Sequence, residues 1–181
     1  MLRYLYLFLF IGTGHGVVLS QDSHLLLLDD TAELLNDAEL YYFSEYKGGV
    51  TARWQSGRMV LTDGVSLTPP EWFVKGWPKI SLEGQLYWRD TSIQQPLKLT
   101  PKAEHFPWQK LVFTSYDLSD NRRPYHQRWS RLQLLLSSQN SAYLQLAEQR
   151  LEQDSTVVRR WLQQIIAGGG LGLRLQRVNA Y

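Results

Sequence analysis

Asp117, Asp120 and Glu104, with His105 and His126, are the side chains whose chemistry could move a proton, and Ser115 adds a hydroxyl. Ser115, Asp117 and His126 supply the residue types of a nucleophilic triad. A triad is recognised by geometry and not by spacing, and no Gly-X-Ser-X-Gly elbow marks a nucleophile. A hydrolase built on Asp117, Asp120 or Glu104 with His126 is therefore the enzymatic reading, and no residue is assigned as catalytic. Metal chemistry has less support. His24, His105 and His126 are far apart, no His-Glu-X-X-His motif exists, and the absence of cysteine removes thiolate sites. No metal and no cofactor are expected. The glycines at 168, 169, 170 and 172 follow a helical pattern instead of preceding one, so they do not form a helix N-terminal phosphate loop.

Binding chemistry is better represented. Pro69-Pro70-Glu71-Trp72-Phe73, Trp77-Pro78 and Phe106-Pro107-Trp108 place large aromatics beside prolines, where loops and strand ends are favoured. On one surface, Trp72, Phe73, Trp77 and Trp108 would make a stacking platform for sugar rings or a peptide. Buried, they would fill the open end of a sheet as core. Arg122, Arg123, Arg128 and Arg131 surround Tyr125 and Trp129. Guanidinium forks suit carboxylates or phosphates; the competing reading is a solvated loop and strand edge. Trp72, Phe73, Trp77, Trp108, Arg122, Arg123 and Arg128 are the candidate binding residues.

Residues 1–20 read as an address. Arg3 gives a positive start, Tyr4 to Ile11 is an unbroken apolar run, and Val18-Leu19-Ser20 suits cleavage before Gln21. The run is too short to span a bilayer, which takes about 20 apolar residues. The expectation is a signal peptide over 1–20 and one globular domain over 21–181, periplasmic or secreted, with no integral span after cleavage. The absence of both cysteines and Asn-X-Ser/Thr sequons favours a bacterial periplasm. The net charge of +2 implies no global field for nucleic acid. The expected partner is an envelope protein or a polysaccharide, not nucleic acid.

The elements that must position these residues follow from pattern. Asp30 and Glu33 form a capping box, and the spacing predicts a short N-terminal helix over about 31–46. Val50, Ala52 and Trp54 alternate as a strand; Gly57 and Asp63-Gly64 turn the chain back. Ile80 and Leu82, then Leu86 and Trp88, suggest a strand pair interrupted at Glu83-Gly84. Lys110 to Tyr116 is the strongest strand. Residues 128–136 fit either strand (Leu132, Leu134, Leu136) or helix (Trp129, Leu132, Leu135, Leu136), with strand preferred. A helical stripe runs over 141–167, with a pause at 154–156 where Asp154 or Ser155 caps a second helix. Leu171, Leu173 and Leu175 alternate as a last strand. The expected fold class is α+β: an antiparallel sheet of about five to seven strands packed on a C-terminal amphipathic helix.

Leu27-Leu28-Asp29-Asp30-Thr31, Phe43-Ser44 and Thr51-Ala52-Arg53-Trp54 resemble, in the same order, fragments of the small periplasmic accessory factor of curli fibre secretion. The gaps differ, and the matches cover under a fifth of the chain. The resemblance implies an accessory or assembly factor of an envelope or secretion apparatus. The export signal, a compact domain, the lack of a catalytic constellation and the aromatic and arginine surface candidates give a non-enzymatic periplasmic or secreted binding protein as the expected function. A carbohydrate- or peptidoglycan-binding module and an envelope hydrolase are the alternatives.

Overall fold

The computed structural model describes residues 23–26, 40–90, 97, 106–119 and 122–179. In chain order the elements are β1 (Ser23–Leu26), β2 (Tyr41–Tyr46), β3 (Val50–Gln55), β4 (Arg58–Leu61), β5 (Ser66–Leu67), α1 (Glu71–Val74), β6 (Leu82–Trp88), β7 (Leu111–Leu118), α2 (Tyr125–Leu136), β8 (Leu144–Leu146), β9 (Gln149–Glu152), α3 (Ser155–Ala167) and β10 (Gly172–Arg177).

Local sequence builds the larger sheet, ordered β5-β4-β3-β6-β7-β8. Ala52 and Trp54 point inward from β3 while Arg53 and Gln55 face solvent. The turn to β4 places Ser56 and Gly57 at φ of 50° and 82°. Two left-handed residues match the twist of the strands they join. At Asp63-Gly64 the Asp63 carboxylate accepts a bond from the Val65 N–H at 3.0 Å, and β5 follows. β6 and β7 pair antiparallel with a bulge opposite Glu83/Gly84, where Ser115 faces Gly84 and Asp117 faces Glu83. Tyr116 is the extra residue, and an extra residue re-aims a side chain. Gly84 is needed there because a Cβ would lie 2.3 Å from the Thr114 carbonyl oxygen. The helix α2 then carries the chain back across β7, and β8 lies parallel to β7.

The smaller sheet, ordered β1-β10-β2-β9, is antiparallel throughout. The helix α3 covers it, burying Val158 and Leu162 against Tyr41, Phe43, Leu173 and Leu175. The Asp154 carboxylate caps α3 by accepting from the Thr156 N–H at 2.8 Å. That bond satisfies one of the orphan donors of the first turn.

The fold is thus mixed α and β, mostly sheet, with three helices among the described residues. Several expectations need correction. There are two sheets, not one, and the β7–β8 pair is parallel. The larger sheet packs on α2, and the C-terminal helix serves the smaller one. Residues 128–136 are helical. Tyr125, Arg128, Trp129, Leu132 and Leu136 are buried at helical spacing, whereas Leu134 is 76% exposed. Residues 144–152 form two short strands instead of the first half of a helix. The region of the expected N-terminal helix ends in β2, and its residues 31–39 lie outside the described ones.

Candidate functional site

Strands of the two sheets carry polar side chains at positions where an apolar core would be expected. Ser44 of β2, Gln85 of β6, and Arg174 and Gln176 of β10 are all buried. Most of these residues face a cavity of about 190 Å³ where the sheets meet. The smaller sheet and α3 contribute Ser44, Glu45, Arg150, Trp161 and Arg174; the larger contributes Gln85, Tyr87, Thr114, Tyr116 and Gln145. Lys47, between β2 and β3, and Glu148, between β8 and β9, also line it. Such a volume is below the about 300 Å³ at which drug-sized pockets begin, and suits a phosphate or a single ring.

The bulge sets the floor. It turns Tyr116 to the cavity and frees its carbonyl, which accepts from Tyr125 Oη at 2.8 Å and from Gln149 Nε2 at 3.0 Å. The Arg174 guanidinium lies over the Tyr116 ring, 3.5 Å from its centroid. One terminal nitrogen of Arg174 donates to Gln176 Oε1 at 3.1 Å, while Nε is shielded from solvent with no hydrogen-bond partner. On the opposite wall Thr114 Oγ1 donates to Tyr87 Oη at 2.8 Å, and Tyr87 Oη donates to Gln145 Oε1 at 3.2 Å. Lys47 Nζ stands 5.5 Å from the Tyr87 ring centroid and 3.9 Å from Glu45. Arg150 packs over the Trp161 ring at 4.5 Å and pairs with Glu148 at 3.1 Å. Burial raises the pKa of the Tyr116 phenol against the opposing charge of Arg174, so Tyr116 is neutral near pH 7.

Behind Tyr116, Arg128 donates from Nε to Asp117 Oδ1 at 2.9 Å and from a terminal nitrogen to Oδ2 at 3.0 Å. Both side chains are buried. Desolvation pushes the Asp117 carboxyl up, opposed by the Arg128 fork and by the Leu118 N–H at 2.7 Å. The other terminal nitrogen of Arg128 donates to the Arg123 carbonyl. Arg128 is therefore a structural tie between α2, β7 and the segment before α2.

The candidate binding residues do not assemble into one surface. Phe73 is fully buried, with Trp108 at 4.8 Å, Tyr143 at 5.1 Å and Trp77 at 5.4 Å between ring centroids. Trp77 also stacks on Phe113, and its indole N–H donates to Ser141 Oγ at 3.3 Å. Trp72 is 43% exposed at the edge of this cluster. A flat platform of Trp72, Trp77 and Trp108 is thus absent, because Trp77 and Trp108 are interior. Arg122 and Arg123 precede α2, and Arg128 is interior. The triad types do not converge: Ser115 Oγ donates to the Glu83 carbonyl at 3.1 Å, His126 Nδ1 lies 3.2 Å from the Val178 carbonyl, and Asp117 faces Arg128. Glu104, His105 and Asp120 lie outside the described residues. No group of three or more His, Asp or Glu that could hold a metal is present among the described residues. The cavity residues were missed by sequence reasoning. Their signal is a polar residue at the inward phase of a strand: Gln85 in LEGQLYW and Arg174 in LGLRLQ.

Comparison with known proteins finds likenesses to DNA ligases. The DNA ligase of Haemophilus influenzae is 25% identical over 142 residues, which are 78% of this chain and 53% of that protein. The chain is similar to a DNA ligase. A Lig E DNA ligase, solved in a structure–function study of DNA binding with a minimal scaffold, superposes with a TM-score of 0.64 at 25% identity, covering 80% of this chain and 57% of that one. The ligase domain of Mycobacterium tuberculosis LigD shares the fold, with a TM-score of 0.56 at 14% identity over 78% of this chain and 48% of that one. No family model matches. The chain spans about half the length of the curated relative it matches.

These likenesses overturn the expected function. An envelope assembly factor, a carbohydrate- or peptidoglycan-binding module and an envelope hydrolase are not what the chain is similar to; its likeness is to DNA ligases. The fragments shared with the curli accessory factor at 43–44 and 51–54 fall in β2 and β3 of this ligase-like fold, and 27–31 lie outside the described residues. The exclusion of nucleic acid as a partner is corrected as well. Net charge measures the summed field, whereas a cleft concentrates cations locally; Lys47, Arg150 and Arg174 share one cavity.

Proposed function

We propose that this chain is a DNA-binding protein of the DNA-ligase kind, which holds a phosphate-bearing strand at the cleft between its two sheets. The observation that carries the proposal is the fold shared with Lig E at 25% identity over 80% of this chain. The cleft supports it with a cationic, aromatic lining, which suits phosphate oxygens and base or ribose rings.

The donor set favours binding over joining by this chain alone. Phosphoryl transfer needs a positioned nucleophile and neutralisation of the charge that develops. Among the described residues the amine lining the cavity is that of Lys47, which lies near Glu45, and the cavity's two carboxylates, Glu45 and Glu148, each face a cation.

Fluorescence anisotropy with a nicked, 5′-phosphorylated duplex tests the reading. Binding that weakens steeply from 50 to 200 mM salt is expected, as for a protein making several phosphate contacts. The same duplex is followed on a denaturing gel with Mg²⁺ and ATP or NAD. A shift without sealing supports the proposal; failure to bind any duplex at low salt overturns it.

A further inference from the structure

Arg174 is a buried cation that forms no salt bridge with a carboxylate among the described residues. The residue is 5% exposed, in β10 at the centre of the smaller sheet. Nearby carboxylates are already engaged. Glu83 pairs with Arg53 at 2.7 Å, Asp117 with Arg128 at 2.9 Å, Glu148 with Arg150 at 3.1 Å, and Glu45 lies 3.9 Å from Lys47. Arg174 has the Tyr116 ring face, the Gln176 amide oxygen and the Tyr125 hydroxyl, all neutral, and an Nε with no hydrogen-bond partner. A desolvated cation held only by neutral groups is unfavourable, and a guanidinium cannot shed its proton to escape.

We propose that Arg174 is a phosphate-recognition residue: the cavity takes a phosphate oxyanion, and the Arg174 guanidinium supplies the charge that fixes it. This rests on the DNA-binding reading and deepens it. Charge, cavity size and geometry agree. Arg174 lines a cavity of about 190 Å³, room for a phosphate group. Nε is shielded as the chain stands, so an oxyanion first engages the guanidinium through charge. A slide across the Tyr116 ring then presents Nε and a terminal nitrogen as a two-pronged fork. The aromatic surface lets the cation move without losing its contact.

The test follows the Nε–Hε resonance of Arg174 in the ¹⁵N-labelled full chain, assigned by its loss in Arg174→Lys. Inorganic phosphate is titrated at constant ionic strength, with chloride as the matched salt. A saturable shift with phosphate at least tenfold larger than with chloride is expected. AMP, a 5′-phosphorylated nicked duplex and its 5′-hydroxyl counterpart are then compared. A stronger shift with AMP assigns the site to a free nucleotide, and one with the 5′-phosphorylated duplex to a DNA end; either supports the proposal. No shift with any phosphate overturns it. Wild-type duplex binding without movement of this resonance overturns the Arg174 site alone, whereas loss of duplex binding overturns the DNA reading. Tyr116→Leu is the second variant. It keeps the charge and removes the sliding surface, so phosphate is expected to bind it at least fivefold more weakly.

Discussion

Replacing Arg128 by Met leaves the Asp117 carboxylate buried with the Leu118 N–H at 2.7 Å as its remaining short contact. Breaking a buried pair from one side costs about 3–5 kcal/mol, because the abandoned charge is no longer compensated. The upper half of that range applies. Asp117 and Arg128 are 5% and 4% exposed, and the same Arg also ties down the Arg123 carbonyl. For a chain of this size about 4 kcal/mol lowers the melting temperature by about 10 °C. Removing both charges in Asp117→Leu/Arg128→Met eliminates the stranded carboxylate and is expected to recover about 2 kcal/mol or more over Arg128→Met. The single variant also carries a pH signature. Burial raises the folded-state pKa of Asp117, and losing Arg128 raises it further. A carboxyl raised on folding is fully favourable below its unfolded pKa, and that contribution is lost as pH rises through the folded value. Arg128→Met is therefore less destabilised at pH 5 than at pH 8. Urea unfolding followed by circular dichroism, as a double-mutant cycle at both pH values, reads every quantity. The reasoning is refuted by a cost under about 1 kcal/mol for Arg128→Met, or by a double variant no more stable than the single one.

Other outcomes follow from particular contacts. Phe73→Ala empties the centre of the aromatic cluster and is expected to cost about 3–5 kcal/mol, against about 1 kcal/mol for half-exposed Trp72→Ala in the same denaturation assay. Gly84→Ala drives a methyl to 2.3 Å from the Thr114 oxygen and 2.6 Å from the Phe113 ring, costing about 2 kcal/mol or more; full retention of stability would contradict the close approach. Tyr116 and Tyr125 both have phenol pKa values raised by burial, so the unfolded chain loses protons first as pH rises through about 10. Stability is expected to fall above that point, and Tyr125→Phe to flatten the decline, as read by urea midpoints at stepped alkaline pH. We propose that residues 1–20, outside the described ones, are removed on export; mass spectrometry of the protein from fractionated cells then finds Gln21 as the first residue.

Where side chains alternate strictly, the fold was legible. Val50-Ala52-Trp54 and the Asp63-Gly64 turn read correctly because burial on one face and turn chemistry dictate them, and Leu173-Leu175 marks a strand that is buried on both faces. The cap of α3 was legible as Asp154 or Ser155, and the structure selects Asp154. The misreadings came where two periods fit one segment. In 128–136 the leucines at 132, 134 and 136 mimic a strand, and only tertiary packing shows that Leu134 is solvent-facing. In 141–153 a helical stripe exists on paper, but Leu144 to Leu146 add to the open edge of β7 and override it. Trp72, Trp77 and Trp108 are set beside prolines that do mark loops; the sequence could not show that those loops fold over the sheet as core. The cavity was hidden for another reason. Ser44, Gln85, Thr114 and Arg174 come from four strands spread over most of the chain, and only the pairing of β10 with β2 brings the last of them to the others.

That pairing sets an order of events during synthesis. The six strands of the larger sheet all lie within residues 50–146, so they can zip up while the chain is still emerging. The smaller sheet has β10 at its centre: β1 and β2 flank it from the other end of the sequence and have no ladder with each other. Closing loops of this length is entropically costly and slow. Closure of the smaller sheet thus waits for residues 172–177, and so does the cleft, whose Arg174 rides on the strand that completes it. A chain stalled before that strand would carry a folded scaffold and an unfinished binding wall, so ligand affinity would report completion of folding, not merely its onset.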